Sequence, residues 1–233
     1  MSLAELRKAV KKNSNAYLSE FLQRFFKTGK GDYAEGDVFA GIKVPVSREI
    51  AKQFKDLSLK DLSLLIKSKI HEERLIALFI LTDMMKKADE KMREKIFKFY
   101  IKNLGNVNNW DLVDLSAERI IGEYLFDKER ELLFKLAEGN LWERRIAVMS
   151  TFNFIKKNDF STTLKISGML LKDKDDLIHK AVGWMLREIG KRNIEEEESF
   201  LKIHYNKMPR TMLRYAIEKF AEPKRRDYLK GRI

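Results

Sequence analysis

The segment NNWDLVD, residues 108–114, places a tryptophan and an aspartate four residues apart. On a helix, Trp110 and Asp114 would be neighbours one turn apart and would point in the same direction. A carboxylate held in this way can stabilise a positive charge as it develops in a reaction. The face of an indole also attracts cations, by about 0.5–2 kcal/mol per contact. The pair therefore indicates chemistry on a cationic group, unless Trp110 packs in the core and Asp114 caps a helix or pairs with an arginine.

Two later segments carry residue types that would complete such a site. LWERR, residues 141–145, ends in Arg145, and KAVGWMLRE, residues 180–188, contains a second tryptophan, Trp184. If the helices that carry these segments are neighbours, two aromatic rings, an acid and a base share one groove. Packing alone rarely requires that combination.

The composition limits the class of protein. The chain has 233 residues, 44% of them hydrophobic, which is normal for a globular protein. Its net charge of +12 suits a polyanionic partner such as nucleic acid or an anionic membrane surface. The alternative is an ordinary basic soluble protein. Because there are no cysteines, disulfides and thiolate metal sites are excluded.

Location and cofactors follow from what the sequence lacks. No run approaches the roughly 20 apolar residues of a membrane span, and the first residues, MSLAELRKAVKK, have no apolar signal core. We therefore expect a soluble cytoplasmic protein, nucleoid-associated if the source is prokaryotic, that acts as a monomer. His71, His179 and His204 are isolated in the sequence, so we expect no metal site and no cofactor.

The spacing of apolar residues is helical along nearly the whole chain. Four segments, 61–70, 73–87, 91–104 and 143–157, place apolar residues at i, i+3, i+4 and i+7. Ser58 and Asp89 precede two of these segments and are predicted helix N-caps. No stretch alternates as a strand would. The sequence predicts an all-α protein.

A basic residue also recurs at similar points of successive helices. Arg74, Arg145, Lys180 and Arg214 are separated by intervals of 71, 35 and 34 residues, and the first interval is about two periods. This period predicts a right-handed α-solenoid of HEAT-like repeats with a concave basic groove; the alternative is an irregular helical bundle. We predict a single domain over residues 1–233, with N-terminal helices over 1–45, repeats over about 46–222 and a basic C-terminal tail over 223–233.

The three segments above, together with GDVFAGIKVPVSR (residues 36–48), resemble the AlkD-type DNA alkylation-repair glycosylases, a family of HEAT-like repeat proteins. The resemblance covers roughly residues 17–220. It implies excision of cationic N3- or N7-alkylated purines from duplex DNA, without a need to flip the base. By motif match, Trp110, Asp114 and Arg145 correspond to the family's catalytic residues, and Trp184 corresponds to its second lesion-contacting tryptophan. The family often has an aromatic residue immediately before the WD pair, where this chain has Asn109.

The predicted partner is duplex DNA that contains alkylated bases. Besides Trp184, the residues expected to contact DNA or the lesion are Arg74, Lys180, Arg187, Arg214 and Tyr33, with Tyr33 in a glycine-rich loop where it could instead pack. A second hypothesis is a non-catalytic solenoid that binds nucleic acid or an acidic protein through the same groove. The presence of Asp114 favours the enzyme, because loss of the acid would be the simplest route to an inactive relative.

Overall fold

The computed structural model describes residues 1–233, and every regular element in it is a helix. The one β feature is an isolated parallel bridge between Val38 and Ile70. None of the helices combines the length and the apolar character that crossing a bilayer requires. The chain groups into two compact units, an N-terminal unit (Met1–Ser116) and a C-terminal unit (Ala117–Ile233). The single domain over 1–233 stays a prediction.

Seven helices begin in the N-terminal unit. Side chains of Ser2, Asn15, Ser58 and Asp89 accept hydrogen bonds from the first turns of the helices that follow them, which confirms the predicted caps at Ser58 and Asp89. The helices are α1 (Leu3–Asn13), α2 (Ala16–Phe25), α3 (Val44–Gln53), α4 (Leu59–Ile66), α5 (His71–Lys87), α6 (Glu90–Lys102) and α7 (Trp110–Ala117).

Helix α5 forms the centre of the N-terminal unit. Thirteen of its 17 residues are buried, and α3, α4 and α6 pack around it. The buried set includes four charged or titratable side chains in its first turn, His71, Glu72, Glu73 and Arg74. Buried charges are costly unless they are paired, so each of these side chains must have a partner within the fold.

The loop between α2 and α3 is anchored to α5 by Glu72. Its carboxylate accepts backbone hydrogen bonds from Ala40 at 2.7 Å, Gly41 at 2.8 Å and Ile42 at 3.0 Å. Gly41 has a φ of +78°, and a Cβ at this position would lie 2.1 Å from the Asn15 carbonyl oxygen. Only glycine fits there, so this residue fixes the close approach of the loop to the start of α2.

The C-terminal unit holds the remaining helices. Helix α7 runs into a π-helical turn, Glu118–Gly122, whose wider i to i+5 bonding is frequent at functional sites. Helix α13 is the core of this unit, with α10, α14 and α15 packed on it. The helices are α8 (Glu123–Leu125), α9 (Glu131–Ala137), α10 (Leu141–Ser150), α11 (Phe152–Lys156), α12 (Ser161–Met169), α13 (Asp176–Gly190), α14 (Ile194–His204), α15 (Arg210–Ala216) and α16 (Glu222–Lys230).

The end of the chain differs from the predicted basic tail over 223–233. Residues Glu222–Lys230 form α16, and Tyr228 on this helix is only 1% exposed. The Tyr205 hydroxyl donates a hydrogen bond to the Ile233 carbonyl oxygen at 2.9 Å. Most residues of this segment are charged, but Tyr228 is buried, and the segment is therefore a helix packed on the C-terminal unit.

The repeated basic residues take nearly the same place in their helices. Arg74 is the fourth residue of α5, while Arg145, Lys180 and Arg214 are the fifth residues of α10, α13 and α15. The helix boundaries therefore place each of these basic residues near the start of a helix, while the repeat organisation stays a prediction.

Candidate functional site

Trp110 and Asp114 lie on one face of α7, and both side chains are half-buried. The helix begins where it does because of Asn109, which is fully buried. The side-chain oxygen of Asn109 accepts a hydrogen bond from the Trp110 N–H at 2.8 Å, and its backbone oxygen accepts one from the Val113 N–H at 3.1 Å. The residue that departs from the family pattern thus serves to start the helix that carries the acid.

Four aromatic rings form a continuous stack that ends at Trp110. The Trp110 ring lies 5.2 Å from Phe26, nearly parallel to it, and Phe26 lies 4.8 Å from Phe39. Phe39 in turn stacks on the imidazole of His71 at 4.3 Å. Phe25 contacts the edge of Trp110 at a centroid distance of 6.3 Å. The indole is therefore held by Phe25 at the end of α2 and by Phe26 of the α2–α3 loop, which is itself stacked on Phe39.

A buried cluster of charges lies at the inner end of this stack. His71 Nε2 is 2.8 Å from an Asp111 carboxylate oxygen, and His71 Nδ1 is 3.4 Å from Asp37. The Arg74 guanidinium lies 2.7 Å from the same Asp37 oxygen. Asn109 donates a further hydrogen bond to Asp37 at 3.3 Å. Residues from the loop, α5 and α7 are joined in this one network.

Burial and charge act in opposite directions within the cluster. Burial alone would raise the pKa of the Asp37 carboxyl, but hydrogen bonds from His71 and Arg74 hold it below its ordinary value. Burial alone would lower the pKa of His71, but the charge and hydrogen bond of Asp111 and the hydrogen bond of Asp37 raise it above its ordinary value. Both shifts favour the charged forms.

An apolar cavity of about 300 Å³ lies against the cluster within the N-terminal unit. Two leucines of α2 cover one side of it, and the ring stack and the network form another. Its lining includes Leu18, Leu22, Phe26, Phe39, His71 and Asp111.

Asp114 occupies the fifth position of α7, where α10, α13 and α15 have a basic residue. Burial of the Tyr100 phenol, with a smaller contribution from the charge of Asp114, raises the pKa of Tyr100 above its ordinary value. The Tyr100 hydroxyl also lies 2.8 Å from the Ser116 hydroxyl. Asp114 therefore places an acid where other helices have a basic residue. It lies near the buried phenol of Tyr100, which stays protonated.

In the C-terminal unit, Arg145 is only 5% exposed. Its guanidinium donates a hydrogen bond to the Leu177 carbonyl oxygen near the start of α13. Trp184, on α13, is half-buried; its ring lies 6.1 Å from Phe152, and its indole N–H donates to Glu188 at 3.3 Å. Both residues thus have contacts that fix their side chains within this unit.

The other predicted DNA contacts differ in exposure. Lys180 pairs with Asp176 at 2.6 Å, and Arg187 pairs with Glu218. Arg214 is exposed on α15, and Tyr33 is half-buried in the α2–α3 loop. A DNA phosphate could replace the carboxylate partners of Lys180 and Arg187. The DNA-binding roles of all four residues stay predictions.

Arg74 is the exception among these residues. It is 6% exposed, and its guanidinium is bound to Asp37 inside the N-terminal unit. The basic repeat position is used here to neutralise a buried carboxylate, which counts against the predicted DNA contact. The three histidines are isolated in the sequence, but His71 lies between Asp37 and Asp111 in the structure. No group of three or more potential ligands is placed to hold a metal ion.

Sequence inspection missed Asp37, His71 and Asp111 as a group. Asp111 lies inside the NNWDLVD segment and was visible there, but Asp37 and His71 are 74 and 40 residues away from it in the chain. The only local signal was a histidine in the charged first turn of a helix whose next residues, 75–81, are all apolar.

Comparison with known proteins identifies a family and several solved structures with a similar fold. A family model described as "DNA alkylation repair enzyme" matches residues 6–220. A structure described as a predicted DNA alkylation repair enzyme from Enterococcus faecalis is similar with a TM-score of 0.69 and 18% identity, over 90% of this chain and 98% of that one. No curated protein matches.

Two structures from Streptococcus mutans are also similar, each with a TM-score of 0.54 over 88% of this chain. One is smu.31 from UA159, with 18% identity over 100% of its length. The other is AlkD2, with 19% identity over 98% of its length. At these identities the likeness shows the fold, and it confirms the predicted all-α solenoid class.

Proposed function

The chain belongs to the family of DNA alkylation repair enzymes, and we propose that it is a monofunctional DNA glycosylase. Its substrates would be cationic N3- or N7-alkylated purines in duplex DNA, and the reaction would need no metal or cofactor. The observation that carries this proposal is the placement of Asp114 and Trp110 on one face of α7, at the outer end of a fixed ring stack.

The chemistry needs little beyond this pair. Alkylation makes the purine a cationic leaving group, so the bond from the sugar C1′ to the base nitrogen breaks with the electron pair going to the base. The base leaves neutral, which removes the need for a general acid. The sugar becomes an oxocarbenium-like cation, and water adds to C1′ and loses its proton. A carboxylate at Asp114 would stabilise that cation and orient the water.

Trp110 would act through its electron-rich face. An indole attracts a cationic base or sugar by about 0.5–2 kcal/mol per contact. Since Trp110 is stacked on Phe26 and flanked by Phe25, its ring cannot turn freely away from a substrate. A preorganised ring loses less entropy when the lesion binds.

Residues of the C-terminal unit would bind the DNA. Arg145 would hold a phosphate beside the lesion, Trp184 would contact the lesion, and Lys180, Arg187 and Arg214 would bind further phosphates. The net charge of +12 supports such a partner, because neutralising phosphates releases counterions.

Asp114→Asn tests the proposal directly. Asparagine keeps the size and much of the hydrogen bonding of aspartate but has no charge to set against an oxocarbenium ion. We expect the variant to keep its fold and its affinity for duplex DNA, yet to excise 7-methylguanine from methylated DNA about 100-fold more slowly or worse. Single-turnover release of the free base is the measurement.

Asp127→Asn is the matched control, because Asp127 is exposed on the surface, and it should excise at the wild-type rate. An Asp114→Asn protein that also excised at that rate would refute the catalytic assignment. A wild-type protein that binds duplex DNA but releases no base would instead support the non-catalytic binding protein.

A further inference from the structure

The network of Asp37, His71, Arg74 and Asp111 has no part in the proposed chemistry, although it adjoins the ring stack that ends at Trp110. Two carboxylates and one guanidinium carry a net charge of −1, so the group is neutral only when His71 is an imidazolium. An unpaired charge in such a buried place is costly. A protonated ring would donate through both nitrogens, to Asp111 at 2.8 Å and towards Asp37 at 3.4 Å, while Arg74 lies 3.4 Å from the same Nδ1 and is itself paired with Asp37.

Two separate paths connect His71 to Trp110. The first runs through Asp111, which is hydrogen-bonded to His71 at 2.8 Å and follows Trp110 directly in the chain; its other carboxylate oxygen accepts from the Leu112 N–H at 2.8 Å. The second is the ring stack, in which His71 lies 4.3 Å from Phe39 and 5.3 Å from Phe26. Phe26 contacts Trp110 at 5.2 Å.

We propose that His71 is a positioning residue for excision: held as an imidazolium between Asp37 and Asp111, it fixes the first turn of α7 and the orientation of the Trp110 indole. Its effect on excision rests on the proposed function, whereas its effect on Trp110 does not. His71 does not touch the substrate, so it acts only through these neighbours.

The state of His71 depends on few groups. The charged groups that face it are Asp37 from the loop, Asp111 from α7 and Arg74 from its own helix. Glu72 directs its carboxylate to the loop amides, and Lys43 lines the adjoining cavity. Because the acids outweigh the arginine, the pKa of His71 lies above the ordinary 6.5, which favours the imidazolium.

Loss of the proton leaves a buried net negative charge and removes one of the two donors. The hold on α7 is therefore complete below pH 6.5 and is lost as the pH rises through the raised pKa of the folded protein. Trp110 should respond over the same range, since its ring is packed on the stack that ends at His71.

Trp110 fluorescence measures this response without any substrate. The chain has three tryptophans, so Trp142→Phe and Trp184→Phe together leave Trp110 as the only one. We expect its emission to change with a single midpoint above pH 6.5, and Asp111→Asn to move that midpoint to lower pH. In His71→Gln the transition should disappear, while His204→Gln should retain it.

Excision is the second readout. With full tryptophan content, we expect His71→Gln to slow the release of 7-methylguanine by about 10- to 100-fold, the effect of a small misplacement of a reacting group. The residual rate should be independent of pH between 6 and 9, whereas the wild-type rate should fall towards the upper limit. Adding Asp111→Asn to His71→Gln should recover part of the loss, because the stranded charge is removed.

The outcomes separate the two proposals. A Trp110 emission that does not titrate above pH 6.5, or titrates equally in Asp111→Asn, overturns the inference even if His71→Gln is too unstable to study. A wild-type protein that excises with the same pH profile as a folded His71→Gln variant also overturns it. If Trp110 titrates as expected but no base is ever released, the positioning holds and the glycosylase proposal fails.

Discussion

The two units of the chain hold their candidate functional residues in different ways. In the N-terminal unit, Trp110 is supported by a buried stack and a network of paired charges from three elements. In the C-terminal unit, Lys180 and Arg187 form ion pairs with partly exposed carboxylates, Asp176 and Glu218. The difference indicates that the first set is fixed before a ligand arrives, while the second set can exchange a carboxylate for another anion.

Buried and exposed ion pairs also differ in energy. Removing one member of a buried pair typically costs about 3–5 kcal/mol, because the other charge is left unpaired. Exposed pairs contribute about 0–1 kcal/mol, because water screens them and long side chains must be ordered. The comparison between the units can therefore be tested by removing one acid from each.

Asp37→Ala should give the largest loss of stability. It leaves Arg74 and the His71 imidazolium without a shared acceptor, and we expect the free energy of unfolding to fall by about 3–5 kcal/mol. Asp176→Ala, the matched change in the C-terminal unit, should cost less than about 1 kcal/mol. Urea denaturation measures both, and equal losses would contradict the distinction between the units.

The pH dependence of the wild-type protein should show the same network. The Asp37 carboxylate stabilises the fold above its unfolded pKa of about 3.8, and that contribution is lost as the pH falls through the lower pKa of the folded state. His71 sets the opposite limit, since its contribution is complete below pH 6.5 and is lost as the pH rises through the raised pKa of the folded state. In Asp37→Ala, the free energy of unfolding should fall less between neutral and acidic pH than it does in the wild-type protein.

Arg145→Ala should give an intermediate effect. Removal of a residue that only held a phosphate would leave the fold intact, but the buried Arg145 guanidinium donates to the Leu177 carbonyl oxygen. We expect a loss of about 1–3 kcal/mol in unfolding free energy, the cost of an unsatisfied buried acceptor, together with weaker DNA binding. Arg145→Lys keeps the charge and should bind DNA better than Arg145→Ala.

If the free energy of unfolding is unchanged in Arg145→Ala, the hydrogen bond to Leu177 does not stabilise the fold. Thermal unfolding and DNA titration of the same preparations separate the two contributions.

Glu218→Gln should give the smallest effect, and in the opposite direction. The change releases Arg187 from its partner, and we expect duplex DNA to bind up to about fivefold more tightly at low salt. The gain should shrink as salt is added, because exposed charges are screened. Asp127→Asn again serves as the control for loss of one negative charge. If both variants gain equally, Glu218 does not restrain Arg187.

The features that the sequence predicted are those set by neighbours along the chain. Apolar spacing predicts the helices over 73–87 and 91–104. In the structure these helices span His71–Lys87 and Glu90–Lys102. The caps at Ser58 and Asp89 depend on residues three positions ahead. The shared face of Trp110 and Asp114 depends on one helical turn.

Features that depend on distant residues were not predictable in this way. Arg74 was expected to face a groove, yet it is bound to Asp37 from the loop, 37 residues earlier. Glu197 lies in the acidic run IEEEES, but it is only 1% exposed, and burial raises its pKa to about 8. In both cases the residue type indicates a solvated charge, and only the packing of other elements decides otherwise.

Helix α2 has a consequence for local unfolding. None of its side chains is buried, and two of its leucines cover the cavity instead of filling it. Full burial of such a side chain contributes about 1.5–3 kcal/mol, so α2 has far less to hold it than α5. Segments of this kind detach at a fraction of the free energy of global unfolding, and their amide protons exchange with solvent accordingly. Each such opening withdraws Phe25 from the edge of Trp110, so the lifetime of the closed α2 sets how long the indole keeps its complete support.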